Sequence, residues 1–218
     1  EGSGQEALIG CGGTAAAPVV ISTLPNAADP AEVILLSGAQ SQQVNEGDFV
    51  GLAAATCSAV SADSWLVGGS TAVGRTTLLT LSNPTEVPAT VDLELFGENG
   101  AITAPGTSGI VVPASGQRVL SLAGFAPDVV SPVVHVTSTG GQVTAELQQS
   151  TVRGLEPGGL DIVGATVAPA TDVVIPGLRV DDLASVQTLL VGGASFADLQ
   201  RRLNRKAVLV GLTALMLV

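Results

Sequence analysis

His135 is the only histidine of the chain, so any acid–base chemistry that uses an imidazole must involve it. It lies in the alternating segment Val133–Thr137, where it should share one strand face with Val133 and Thr137. A serine hydrolase also needs a positioned nucleophile, but no serine occurs in a Gly-x-Ser-x-Gly turn. We therefore interpret His135 as a surface or edge residue, with a hydrolase as the less favoured alternative.

Asp92 and Glu94 are a second candidate, because glycosidases use two carboxylates that face the same bond. In this segment the two acids alternate with Val91, Leu93 and Leu95. Such a period of two is typical of a strand with one buried and one wet face. We interpret both carboxylates as solvated, so no catalytic residue is predicted.

Metal and phosphate sites are not predicted either. Cys11 and Cys57 lie outside any Cys-x-x-Cys or Cys/His cluster. Asp181-Asp182 would need more oxygen ligands to hold Ca²⁺. Gly192-Gly193 lacks the Lys-Ser/Thr context of a phosphate-binding loop. The sequence therefore predicts no cofactor.

The two cysteines favour a disulfide between Cys11 and Cys57, as in an exported protein. Two buried free thiols are the alternative. Trp65 is the only tryptophan, and we expect it in a sandwich core; a sugar-stacking platform is its alternative role. One Trp and no Tyr are few rings for sugar recognition.

Composition indicates many short strands, since the chain is 46% apolar but only 2% aromatic and contains 27 Gly and 12 Pro. The net charge is −11. Four of the eight basic residues lie close together, and the rest of the chain holds four basic residues against nineteen acidic ones. Such a surface repels phosphate backbones, so we expect no nucleic-acid partner.

Seven apolar segments at roughly ten-residue spacing predict an all-β fold, an immunoglobulin-like antiparallel β-sandwich. Glu98–Gly100 and Gly140-Gly141 are predicted hairpin turns, and Arg153–Asp161 a loop. The seven segments are Trp65–Val67, Arg75–Leu81, Ala89–Phe96, Gly109–Val112, Gln117–Leu122, Val133–Thr137 and Val143–Leu147.

Three regions follow from this pattern. Residues 1–62 form an N-terminal β segment, 63–180 the sandwich, and 181–218 a partial second repeat or anchor-like segment. The repeat is suggested by Leu189–Ser195, which resembles Trp65–Thr71 in spacing. Further strands are predicted at Ala17–Leu24, Ala31–Leu36, Phe49–Ala55 and Asp172–Ile175.

The C-terminal segment has the sharpest change of composition. A basic cluster, Arg201, Arg202, Arg205 and Lys206, precedes twelve mostly apolar residues, Ala207–Val218. A membrane-spanning helix needs about 20. The segment is therefore a shortened membrane anchor, a packed helix or strand, or an unnatural chain end.

A set of short motifs stands out in the middle of the chain: Cys57 to about Ser64, Trp65–Thr71, Leu81–Pro84, Phe96–Gly100 and Val152–Leu155. As a set they resemble an uncharacterised actinobacterial family of secreted or membrane-anchored proteins, known as a domain of unknown function. The resemblance covers about residues 55–180 and implies no activity.

Together these observations predict a non-catalytic structural or protein-interaction domain of the extracellular cell envelope, with the C-terminal segment as its candidate membrane anchor. Its partner should be another envelope protein. A module that binds carbohydrate or a cell-wall polymer is the alternative.

Overall fold

A computed structural model describes residues 8–11, 18–22, 36–46 and 49–170. Regular structure in these ranges is strand apart from one 3-10 turn, Leu122–Gly124. The strands are β1 Leu8–Cys11, β2 Val19–Ser22, β3 Ala39–Glu46, β4 Phe49–Thr56, β5 Ser58–Ala59, β6 Asp63–Val67, β7 Arg75–Asn83, β8 Ala89–Gly97, β9 Gly100–Ile102, β10 Ile110–Val112, β11 Gly116–Ser121, β12 Val133–Gly140, β13 Thr144–Arg153 and β14 Glu156–Gly164.

Two antiparallel sheets form a sandwich around an aliphatic core. The first sheet has the order β10-β8-β12-β6, with β9 paired to β8, and the second has the order β11-β7-β13-β14. The prediction of an all-β sandwich is confirmed, and its immunoglobulin-like connectivity stays a prediction.

Strand β8 shows how the sequence specifies the two faces of a sheet. Val91, Leu93 and Leu95 are buried, whereas Asp92 and Glu94 point outward, as the period of two predicts. Opposite them the core includes the fully buried Leu79 and Leu147, which are cross-strand partners. Burying such side chains stabilises the fold by about 1.5–3 kcal/mol each, so the alternation positions everything on the outer face.

The hairpin predicted at Gly140-Gly141 is wrong, because the chain there crosses between sheets. Strand β12 pairs with β6 and β8, whereas β13 pairs with β7 and β14. The glycines are needed for close backbone passage: a Cβ on Gly140 would lie 2.6 Å from the Pro88 carbonyl oxygen, and one on Gly141 would lie 2.6 Å from that of Val87.

The loop predicted at Arg153–Asp161 is also wrong, because β13 and β14 form a hairpin there with a bulge at Thr151/Val152. Pro157 is tolerated because β14 is an edge strand. The predicted turn at Glu98–Gly100 does form a hairpin, between β8 and β9. Of its residues only Gly100 has a positive φ, at 104°.

The N-terminal residues add strands outside the sandwich. Strands β1, β2 and β5 form a small sheet. Strands β3 and β4 form a hairpin that contacts the second sheet, since Gln40 Nε2 donates to Glu146 Oε2 at 2.7 Å and Gln148 Nε2 donates to Gln42 Oε1 at 3.0 Å. Strand β3 was not predicted because its polar residues show no apolar alternation.

Two of the predicted N-terminal strands are present: β2 lies within Ala17–Leu24, and β4 matches Phe49–Ala55 with one more residue. The segment 31–35, like Asp172–Ile175 and Leu189–Ser195, lies outside the described residues.

The register of β1 and β5 supports the predicted disulfide. Ile9 lies opposite Ala59 and Gly10 opposite Ser58, so continuing the pairing by one residue brings Cys11 opposite Cys57. Directly opposed residues have Cα atoms about 4.5–5.5 Å apart, within the range that a disulfide spans. Only the backbone of Cys11 is among the described parts of the chain, so the bond itself stays a prediction.

We expect non-reducing peptide mapping to recover the peptide that contains Cys11 linked to the peptide that contains Cys57. Cys57→Ser should lower the free energy of unfolding by about 4 kcal/mol, because the unfolded chain loses a long covalent loop. As the control, wild-type protein in reductant should unfold at the temperature of the variant. Free thiols at both positions in the native protein would contradict the pairing.

Candidate functional site

The outer face of the first sheet carries the most concentrated chemistry among the described residues. Strand β12 lies between β6 and β8, and its register places Trp65 and Glu94 on either side of His135. Val134 and Val136 point into the core, so His135 must point outward, as predicted. The strand pairing therefore brings together three side chains that are distant in sequence.

His135 contacts a carboxylate at each ring nitrogen. Its Nδ1 lies 2.8 Å from Glu94 Oε2, and its Nε2 lies 3.1 Å from Asp63 Oδ2. The imidazole side chain is 14% exposed, whereas the Asp63 and Glu94 side chains are 60% and 67% exposed. The ring is thus shielded, and the acids that hold it remain open to solvent.

The indole ring of Trp65 covers the imidazole. The Trp65 and His135 ring centroids are 4.0 Å apart with an interplanar angle of 10°. Phe96 stacks on Trp65 from a centroid distance of 6.0 Å. The expectation that Trp65 occupies the core is wrong, because its neighbours Ser64 and Leu66 take the buried positions of β6. Alternation in a five-residue strand then forces Trp65 onto the outer face.

Opposing effects act on the pKa of His135. Burial lowers it, while the hydrogen bonds and charges of Glu94 and Asp63 raise it. The carboxylates prevail, and the pKa is raised above 6.5. Both carboxylates can accept an N–H of the imidazolium, so they stabilise the protonated ring relative to the neutral one.

This geometry differs from that of a catalytic triad. In a triad one imidazole nitrogen binds a carboxylate and the other accepts the proton of a nucleophile. Here both nitrogens of His135 face carboxylates. The ring is instead held between two carboxylates and against the Trp65 indole.

Asp92 and Glu94, predicted as a solvated pair, have separate contacts. Asp92 Oδ1 accepts a hydrogen bond from the Gly109 backbone N–H at 2.8 Å, which ties the β9–β10 loop to β8. Glu94 binds His135 instead. The structure thus gives the two carboxylates different roles on one wet face.

Sequence reasoning missed Asp63 and Phe96. Asp63 lies two residues from Trp65 and Phe96 two residues from Glu94, so each faces the same side of its strand as that neighbour and was recognisable as outward-facing. The sequence did not show that β6 and β8 pair with β12, which brings these side chains to His135.

The predicted basic cluster lies outside the described residues. Its members are Arg201, Arg202, Arg205 and Lys206. Within the described ranges, no group of three or more His, Cys, Asp or Glu side chains is arranged to bind a metal ion. Those ranges also contain no helix with the length and apolar character needed to cross a membrane.

We expect the fluorescence of Trp65, the only tryptophan, to titrate with His135 at an apparent pKa above 6.5. Because the pKa of His135 is raised in the folded state, its contacts with the two carboxylates stabilise the fold fully below about pH 6.5. This stabilisation is lost as the pH rises through the folded-state pKa. The melting-temperature difference between wild type and His135→Gln should therefore shrink as the pH rises.

In the double variant Asp63→Asn with Glu94→Gln, the apparent pKa of the fluorescence titration should return towards 6.5 or below. The reason is that burial, which lowers the pKa of His135, then acts without the two carboxylates. Glu156→Gln, an exposed change on β14, is the matched control and should leave it unchanged. A wild-type titration below pH 6.5 would contradict the assigned contacts.

Comparison with known proteins adds a family but no activity. No curated protein and no solved structure gives a significant match to the chain. A family model does match residues 12–212, and its description is a family of unknown function, DUF5719. The match covers far more than half of the 218 residues, so the chain belongs to the DUF5719 family.

Proposed function

We propose that this chain is a non-catalytic interaction domain that binds a partner through the outer face of the β10-β8-β12-β6 sheet. The observation that carries the proposal is the outward position of Trp65, stacked on His135. Tryptophan on a surface is enriched at protein interfaces, where it supplies much of the binding energy.

The rigidity of this face supports the proposal. Trp65, His135 and Glu94 lie on three adjacent hydrogen-bonded strands rather than on loops. Side chains fixed before binding lose little conformational entropy when a partner arrives. A sheet face of this kind suits recognition of a surface or an extended segment.

The non-catalytic part of the proposal is supported by the His135 contacts. Both ring nitrogens are engaged by carboxylates, and the ring is covered by Trp65. A hydrolase would need one nitrogen directed at a nucleophile.

We further place this domain in a cell envelope, outside the cytoplasm, in an actinobacterial-type organism. The strongly acidic composition and the expected pairing of Cys11 with Cys57 support this location. Another envelope protein is the partner class that we favour.

Binding of a carbohydrate or cell-wall polymer is the second candidate. It is favoured by the outward rings of Trp65 and Phe96 beside exposed carboxylates, because sugars stack on rings and donate hydroxyl hydrogen bonds. The scarcity of aromatic residues, 2% of the chain, places it second.

The test compares immobilised wild type with Trp65→Ala, and with Val119→Ala as the matched control. Val119 is 51% exposed on β11 of the other sheet. An envelope protein retained from native membranes is identified, purified and titrated against each form. We expect Trp65→Ala to weaken binding about ten-fold or more and Val119→Ala to have no effect.

Equal affinities for the three forms would refute this binding face. Saturable binding of a cell-wall glycan that Trp65→Ala abolishes would favour the second candidate. Hydrolysis that His135→Gln abolishes would refute a non-catalytic domain.

A further inference from the structure

We propose that the partner presents an arginine side chain, which binds Asp63 and Glu94 at the exposed edge of the Trp65–His135 stack, and that the positive charge of protonated His135 opposes this binding. This inference rests on the proposed function and names the chemistry of its partner.

Charge on this face is the first support. Asp63, Asp92 and Glu94 are all exposed on the outer side of the sheet. Basic side chains among the described residues are Arg75, Arg118 and Arg153, which belong to strands β7, β11 and β13 of the other sheet. Arg118 reaches only as far as the carbonyl oxygen of Val111, on the sheet edge opposite β6. The face therefore attracts a cationic partner group.

The contacts of His135 are the second support, because they show which cation geometry the cluster accepts. A planar ring lies parallel to the indole at 4.0 Å, and its in-plane nitrogens contact two carboxylates. A guanidinium is also planar, carries its donors in its plane and stacks on aromatic faces. The ammonium group of lysine is a compact point charge, so it matches the charge of the imidazolium but not its planar shape. The geometry thus favours arginine over lysine.

Acceptor capacity remains for such a group. His135 contacts only Oδ2 of Asp63 and Oε2 of Glu94, and each carboxylate has a second oxygen. Both side chains are well over half exposed, so an incoming arginine can reach them. The exposed edge of the cluster is thus its entry.

Protonation of His135 should regulate the binding. The groups that face its ring are Asp63 and Trp65 from β6 and Glu94 from β8, with Asp92 farther along β8 on the same face. When the imidazolium loses its proton, the cluster becomes more negative by one charge and one carboxylate loses its donor. Arginine binding should therefore strengthen as the pH rises through the pKa of His135.

The test uses a tetra-arginine peptide with blocked ends, titrated calorimetrically against the full chain between about pH 5.5 and pH 8.5. Tetra-citrulline, which lacks the charge, and tetra-lysine are the comparison peptides. We expect the arginine peptide to bind about five-fold or more tighter than either, with affinity rising with pH.

The variants separate the cluster from general attraction to an acidic protein. Asp63→Asn with Glu94→Gln should weaken tetra-arginine binding about five-fold or more. Glu86→Gln with Glu156→Gln removes the same charge from exposed positions elsewhere and should have little effect. His135→Gln should remove the pH dependence of tetra-arginine binding between about pH 5.5 and pH 8.5.

Equal loss in the two double variants, or equal affinity for arginine and citrulline, would overturn the inference. A native partner that still depends on Trp65 while tetra-arginine fails to bind would reject only the arginine. A native partner indifferent to Trp65→Ala would reject the proposed function itself.

Discussion

Packing of the two inner sheet faces is the constraint on which the rest of the structure depends. The buried hydrophobic residues of the described chain are Ala, Val and Leu, and Phe125 only packs at their margin. Aliphatic side chains fill the space between sheets without an aromatic ring. Trp65 and Phe96 are consequently not required in the core and lie on the outer face, where they stack on each other.

The His135 cluster converts this outer face into one unit. Its hydrogen bonds join β12 to Asp63 on β6 and to Glu94 on β8, so three strands are linked by side chains as well as by backbone. Because both acids are largely exposed, screening by solvent makes the stability gain modest. The larger consequence is geometric, since the ring fixes both carboxylates beside Trp65.

Prediction from sequence succeeded where one strand carries its own information. The alternation Val91, Asp92, Leu93, Glu94, Leu95 specifies both faces of β8 without any partner strand. Prediction failed where the pairing of strands that are distant in sequence determines which side chains meet and how the chain connects the two sheets. The meeting of Asp63, His135 and Glu94 depends on β6 and β8 pairing with β12, and Gly140-Gly141 is a crossing rather than a hairpin because β13 pairs with β7.

A histidine between two acids on a sheet face differs in its contacts from the base of a catalytic triad, in which one ring nitrogen faces a nucleophile. Burial lowers the pKa of His135, but the hydrogen bonds and charges of Glu94 and Asp63 outweigh burial and raise that pKa. The same contacts place the imidazole between two carboxylates and against an indole ring. Loss of a proton from the imidazolium would leave one of the two carboxylates without its donor and make the outer face more negative by one charge.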